Sequence, residues 1–173
     1  MTTAIAGSCT VIDGNDSQWD KKTHKLYSKN EIGNVPGHYL HFDGSLLKAD
    51  GDGENNASFI FHEAPDCVDN EDVTIVILEH EESHKVMAIN TQDDKVTLED
   101  PPVSLSQLTK RGIDKSHPKI LFQKISRARG SDEFYFKSLL DGAQRIVGFD
   151  EKGKPMNTTG VRPRQLASLF EIR

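Results

Sequence analysis

Cysteine is scarce in this chain: Cys9 and Cys67 are the only two in 173 residues. Two thiols cannot build a disulfide framework or a four-ligand zinc centre. They read as free or incidental thiols, with a single bridge as the alternative. Long apolar runs are also missing. No stretch approaches the roughly 18–20 apolar residues needed to span a bilayer, so no membrane insertion is expected. The opening MTTAIAGSCTVIDG has neither a basic n-region nor a sustained apolar h-region, so no signal peptide is expected. There is no G-x-S-x-G elbow, no phosphate-cradling glycine loop and no dinucleotide fingerprint. Nothing points to a nucleophilic triad, and no enzyme is expected. Helical periodicity is almost absent; only 104-SLSQLTKRG-112 hints at a helical turn.

An overall positive charge is lacking too. The net charge is −6, and it is unevenly spread. Residues 1–108 hold 7 Lys and Arg against 20 Asp and Glu, or −13, whereas residues 109–173 hold 14 against 7, or +7. Without a general cationic field, nucleic acid is not an expected partner. The basic runs 110-KRGIDKSHPK-119 and 127-RARG-130 are either solvated loops or a local contact patch. Length, an apolar fraction of 35% and a charged fraction of 28% describe one soluble domain, 1–173, with a core of its own.

One string looks enzymatic. The sequence 80-HEESH-84 spells the zinc-peptidase signature, which works on a helix because i,i+4 spacing then sets both imidazoles on one face. The flanking residues argue otherwise. Val73–Leu78 is a β-branched run and Lys85–Asn90 reads as its antiparallel partner, so HEESH is expected to be a hairpin turn with no metal and no cofactor. The acidic run 50-DGDGEN-55 likewise fails as a calcium loop, because its sixth and twelfth positions are Asn55 and Phe61 rather than Gly and Glu. Sequons occur at Asn15, Asn56 and Asn157. Trp19, in a polar stretch, either packs over the core or serves as a contact residue.

Strands are what the sequence has in abundance. Segments 73–80, 84–90, 95–99, 119–126, 132–138, 144–149 and 167–172 are short, alternating or wholly apolar, and rich in Val, Ile, Phe and Tyr. Weaker candidates are 8–12, 25–29, 39–42, 45–49 and 58–63. In order they repeat: 39-YLHFDGSLLKADG-51 then 58-SFIFHE-63; 86-VMAINTQDDKVTLED-100 then 120-ILFQKI-125; 146-IVGFDEKGKPMNT-158 then 168-SLFEI-172. Each unit has an apolar strand, an acidic turn, a second strand, and a third strand centred on Phe61, Phe122 or Phe170. Twelve strands in three pseudo-repeats at roughly 50-residue spacing predict a closed β architecture whose three phenylalanines converge on its axis. Long loops are expected at about 13–38 and about 100–118.

The pattern resembles a β-trefoil, and its details resemble the interleukin-1 cytokine family. The stretch 72-DVTIVILEHEESHKVMAINTQDDKVTLEDPP-102 is similar to the family's middle repeat. The segment 119-KILFQKIS-126 is similar to its Phe-x-Phe-x-Lys-Ile strand, and 133-EFYFKSLLDGAQRIVGFDEKGKPM-156 to the region that follows. The resemblance covers about residues 45–173; residues 139–145 lack the family's usual Pro-Trp-Tyr. It implies a monomeric, leaderless extracellular cytokine, cytosolic as a precursor. Such a protein binds immunoglobulin-domain receptors of the interleukin-1 receptor family to trigger or antagonise inflammatory signalling. Carried over by position, the receptor contacts are Asp66, Val68, Asp69, Asn70 and Glu71 on one side, and Lys110, Arg111, Lys124 and Arg127 on the other. The alternative is a fibroblast-growth-factor-like or lectin-like trefoil that binds heparin or another glycan. Residues 39–51 are similar to a growth-factor strand pair, although Arg162 and Arg164 are thin for a heparin site.

Overall fold

The computed structural model of the protein describes residues 9, 17–30, 38–44, 46–111, 113–163 and 165–173. The expected strand 8–12 (apart from Cys9), the Asn15 sequon and Arg164 lie outside them. The fold is all-β. Eleven strands occur among the described residues: β1 (Asp20–His24), β2 (Leu26–Ser28), β3 (Tyr39–Phe42), β4 (Leu47–Gly51), β5 (Phe59–Val68), β6 (Glu71–His80), β7 (Val86–Asn90), β8 (Lys95–Glu99), β9 (Phe122–Ser126), β10 (Glu133–Ser138) and β11 (Phe170–Ile172). All pairings are antiparallel, in the order β1-β5-β6-β9-β10-β11-β2-β3-β4, with β7 and β8 joined through β6.

Eleven rather than the expected twelve are described: 8–12, apart from Cys9, lies outside the described residues, β1 is a strand inside the segment expected as a long loop at about 13–38, and the expected strand 144–149 does not form. Ile146, Val147 and Phe149 are buried as an inner strand would be. Their amides, however, go to three different places: Ile146 to the Thr158 carbonyl, Val147 to Phe136 and Phe149 to Ala167. Only isolated bridges, Lys137 with Ile146 and Phe149 with Pro155, form there. A segment tied to three neighbours satisfies its backbone without building a ladder.

Strand β6 explains the architecture best. Its run Ile75, Val76, Ile77, Leu78 is apolar at every position because both faces are covered. Val76 and Leu78 join the large inner cluster, which holds Leu26, Leu40, Phe59, Phe61, Phe122, Phe136, Phe149 and Phe170. Ile75 and Ile77 point the other way, into a second cluster with Trp19, Ala64, Val86, Ala88, Ile120 and Leu121. Phe61, Phe122 and Phe170 are all fully buried in the inner cluster. Phe136 bridges two of them, 6.3 Å from Phe61 and 5.8 Å from Phe170 between ring centroids. The aromatic members carry the largest share of buried area.

Trp19 packs in the second cluster, its indole N–H donating to the Thr109 carbonyl at 2.9 Å. The loop that supplies Thr109 also lays Leu105, Leu108 and Ile113 against that cluster and contains a 3-10 turn at Leu105–Gln107. The reading of two free thiols is corrected: Cys9 and Cys67 are bonded to each other across 58 residues of sequence. The physical reason is placement. No local pattern marks residue 9 as lying beside the far end of β5, where the bond to Cys67 places it.

Candidate functional site

The far end of the β5–β6 hairpin stands clear of its neighbours. β1 pairs with β5 only as far as Glu63, and β9 pairs with β6 only at Ile75 and Val76. Residues 64–74 therefore form an arm held by their own ladder, from Ala64 opposite Ile75 to Val68 opposite Glu71. The arm closes on Asp69 and Asn70, at φ 51° and 64°. Positive φ at both central residues of a two-residue turn matches the right-handed twist of the strands, and Asp and Asn tolerate that conformation best after glycine. Pro65 fits because its side of β5 lies beyond the end of β1, where no amide hydrogen is required.

Three ties hold the arm in place. The Cys9 bridge reaches Cys67. Lys115 pairs with Asp66 at 2.7 Å. Val68 and Val73 lean on the second apolar cluster.

Between the arm and β9–β10 lies a groove of about 430 Å³. Its walls include Val68, Asp69 and Glu71 from the arm, Gln123, Lys124 and Ser126 from β9, and Tyr135 and Lys137 from β10. Four of the sequence-predicted contact residues, Val68, Asp69, Glu71 and Lys124, thus meet in one place. Lys124 is committed within it: its ammonium donates to both oxygens of Glu63, at 2.8 and 2.9 Å, and sits 5.3 Å from the Phe134 ring centroid. Asp66 and Asn70 sit on the same arm but do not line the groove. Lys110, Arg111 and Arg127 do not line it either. Lys110 pairs with Asp20 at 3.0 Å, and Arg127 with Glu133 at 2.7 Å. Sequence reasoning missed Tyr135 and Lys137. Alternation around buried Phe136 was the available signal, since it turns both outward together.

The 80–84 string is a hairpin turn, with β6 ending at His80 and β7 starting at Val86. Its two imidazoles go separate ways. His80 is buried, edge-on to Phe42 and Phe59. Its Nε2–H donates to the Asn56 carbonyl at 3.0 Å, because a carbonyl can only accept; Nδ1 then accepts from Ser83. His84, at φ 61°, donates from Nδ1 to Glu79 at 2.8 Å. The other oxygen of Glu79 accepts from Nε2 of the buried His62 at 2.7 Å. The spacing that serves a zinc site on a helix here divides one histidine into the core and one onto a carboxylate.

No protein-family model matches the chain, and no curated protein matches it. The geometry therefore carries the functional argument. What it offers is a projecting, cross-braced arm beside a groove with an anionic rim, on a rigid all-β body.

Proposed function

We propose that the protein is an interleukin-1-like cytokine built as a β-trefoil, which binds immunoglobulin-domain receptors of the interleukin-1 receptor family to trigger or antagonise inflammatory signalling. The observation that carries this reading is the strand pairing around Lys25. β1 and β2 are separated by that single residue, which exchanges hydrogen bonds with Arg173 at 3.0 and 2.9 Å. β1 pairs with β5 and β2 with β11. Taken as one bent strand, they return the path β5-β6-β9-β10-β11 to its start, as a six-stranded barrel requires. The β3–β4 and β7–β8 hairpins and the bridged segment 146–155 then supply one lateral unit per repeat. Further support comes from the site: the arm and groove gather four residues that the family resemblance assigns to receptor contact.

The protein acts by occupancy, without turnover. Asp69 and Glu71 steer encounter with a cationic partner surface, and apolar groups such as Val68 and Tyr135 supply the desolvated contact. The test is direct binding of the immobilised protein to soluble receptor-family ectodomains, run beside heparin and a glycan array. Saturable ectodomain binding that weakens at least tenfold on reversing Asp69 and Glu71 to lysine is expected. Binding to heparin alone refutes the reading.

A further inference from the structure

The 80–84 turn places a serine hydroxyl against a buried imidazole. The turn is tied at both ends: the His80 amide donates to the Lys85 carbonyl and the His84 amide to the His80 carbonyl, each at 2.8 Å. Ser83 is thereby folded back over His80, with its Oγ 2.8 Å from Nδ1. Its amide also points at Nδ1, at a longer 3.3 Å. The direction of the shorter bond follows from the other side of the ring. Nε2 lies 3.0 Å from the Asn56 carbonyl, which can only accept, so Nε2 carries the hydrogen and Nδ1 a lone pair. The Ser83 hydroxyl must then donate to Nδ1. Its oxygen in turn accepts from the Lys85 amide at 3.3 Å.

A hydroxyl that gives its hydrogen bond to a neutral imidazole, with that imidazole fixed by a third group, has the arrangement of an activated nucleophile. Here the third group is a carbonyl rather than a carboxylate. The Asn56 carbonyl is itself held, since it also accepts from the Phe42 amide at 3.1 Å. His80 is 1% exposed and packs edge-on against Phe42 and Phe59, which fixes the ring plane. Ser83, by contrast, is exposed and opens on a pocket of about 340 Å³ between residues 42–44 and 80–83. Phe42 gives that pocket an apolar wall, and Asp43 and Glu82 give it an anionic rim. Glu54, Glu81 and Glu82 line a second pocket at the same ring. The positive charge that develops on the imidazole as it takes a proton therefore forms in an anionic setting.

We propose that Ser83 is a nucleophilic modification site, activated by His80, which accepts a small uncharged acyl or phosphonyl group. A lone pair on Oγ attacks the acyl carbon or the phosphorus, and the Oγ–H proton passes to Nδ1 of His80. The leaving group departs with the electron pair of the bond that breaks. The proton then leaves His80 for the departing group or for water, which returns the ring to its neutral form and leaves Ser83 as an ester. No oxidant or reductant enters. The anionic rim favours uncharged donors over anionic ones, and Phe42 receives the donor's alkyl part. The reaction is a single transfer, one group per chain, without turnover. The site shares no residue with the groove beside the arm, and it stands whether or not the receptor reading does.

The probe is an uncharged alkyl fluorophosphonate, added to the whole protein, with the adduct at each residue followed over time by peptide mass spectrometry. Ser104 is the internal reference: it is also an exposed serine, but its hydroxyl bonds to that of Ser106 rather than to an imidazole. In the folded protein Ser83 gains the label at least about tenfold faster than Ser104, a modest share of what general-base assistance supplies. In denaturing urea the two react at the same rate. Ser83→Ala abolishes the fast adduct. His80→Gln, with its folding checked by circular dichroism, lowers the Ser83 rate to that of Ser104. Three results overturn the inference: equal labelling of Ser83 and Ser104 in the folded protein, an excess at Ser83 that survives urea, or an excess that survives in a folded His80→Gln variant. Should that variant not fold, the excess over Ser104 and its loss in urea decide the matter between them.

Discussion

Replacing Glu79 with alanine removes the one carboxylate that serves two imidazoles, and the cost can be worked from their surroundings. His62 is 3% exposed, and its Nδ1 has no hydrogen-bond partner among the described residues, so among them its Nε2–H bond to Glu79 is the ring's one hydrogen bond. Stranding that buried donor costs about 1–3 kcal/mol. The second bond, to His84, is worth roughly 0.5 kcal/mol because that ring is 74% exposed and water replaces the carboxylate. Glu79 is itself largely buried, and relief of its desolvation offsets part of the loss. A net destabilisation of about 2 kcal/mol follows, or a Tm lower by roughly 4–8 °C for a domain of this size. Equilibrium urea denaturation gives the number. The companion His84→Ala tests the partition and loses no more than about 0.5 kcal/mol. The sharper control is the pair His62→Leu with Glu79→Leu, which leaves no polar group stranded and so costs less than Glu79→Ala alone. A Glu79→Ala variant as stable as His84→Ala, with no coupling to His62, would refute the reasoning.

The disulfide closes a loop of 58 residues, and opening it by Cys67→Ser lowers stability by up to about 4 kcal/mol in the chain-entropy treatment. Intact mass and thiol titration of the unreduced protein show no free thiol. Phe61→Ala, at the centre of the inner cluster, costs about 3–5 kcal/mol by urea titration. Two glycines at similar positive φ separate strain from clash. Gly130→Ala meets nothing within 4 Å and loses about 1 kcal/mol, whereas Gly153→Ala sets a Cβ 3.0 Å from that of Asp50 and loses measurably more in the same titration. The Arg173 guanidinium, by hydrogen bonding, holds the Glu171 carboxyl below its ordinary pKa. Its contribution is therefore present above the usual glutamate range and fades as pH falls through the lowered value. The stability difference between wild type and Glu171→Gln, followed from pH 7 downward, shrinks in acid; a difference that grows in acid contradicts the assignment.

The sequence was most legible where one physical demand dominated. Val73–Leu78 reads as a strand because β-branched residues buried on both faces fit nothing else, and that alone settles HEESH as a turn. β1 was illegible. Asp-Lys-Lys-Thr-His shows no apolar alternation, and it is a strand only because its backbone pairs with Phe59–Glu63. The extension of β5 to Val68 was hidden by Pro65 and Asp66, which look like a turn until the edge they occupy is known to be unpaired. The groove was half visible. Its arm residues follow from the hairpin, while the β10 contribution depends on how far β6 and β9 diverge, a tertiary property that no local pattern encodes.

The Cys9–Cys67 bond has a mechanical consequence. A load applied to the chain ahead of residue 9 passes through sulfur to the tip region of β5, bypassing Trp19 and β1 entirely. A surface tether or bulky fusion attached on that side therefore pulls on the arm that borders the groove. The same attachment after Arg173 loads the hydrogen bonds to Lys25 instead. Force spectroscopy with opposite anchoring points would thus unfold one molecule along two different routes.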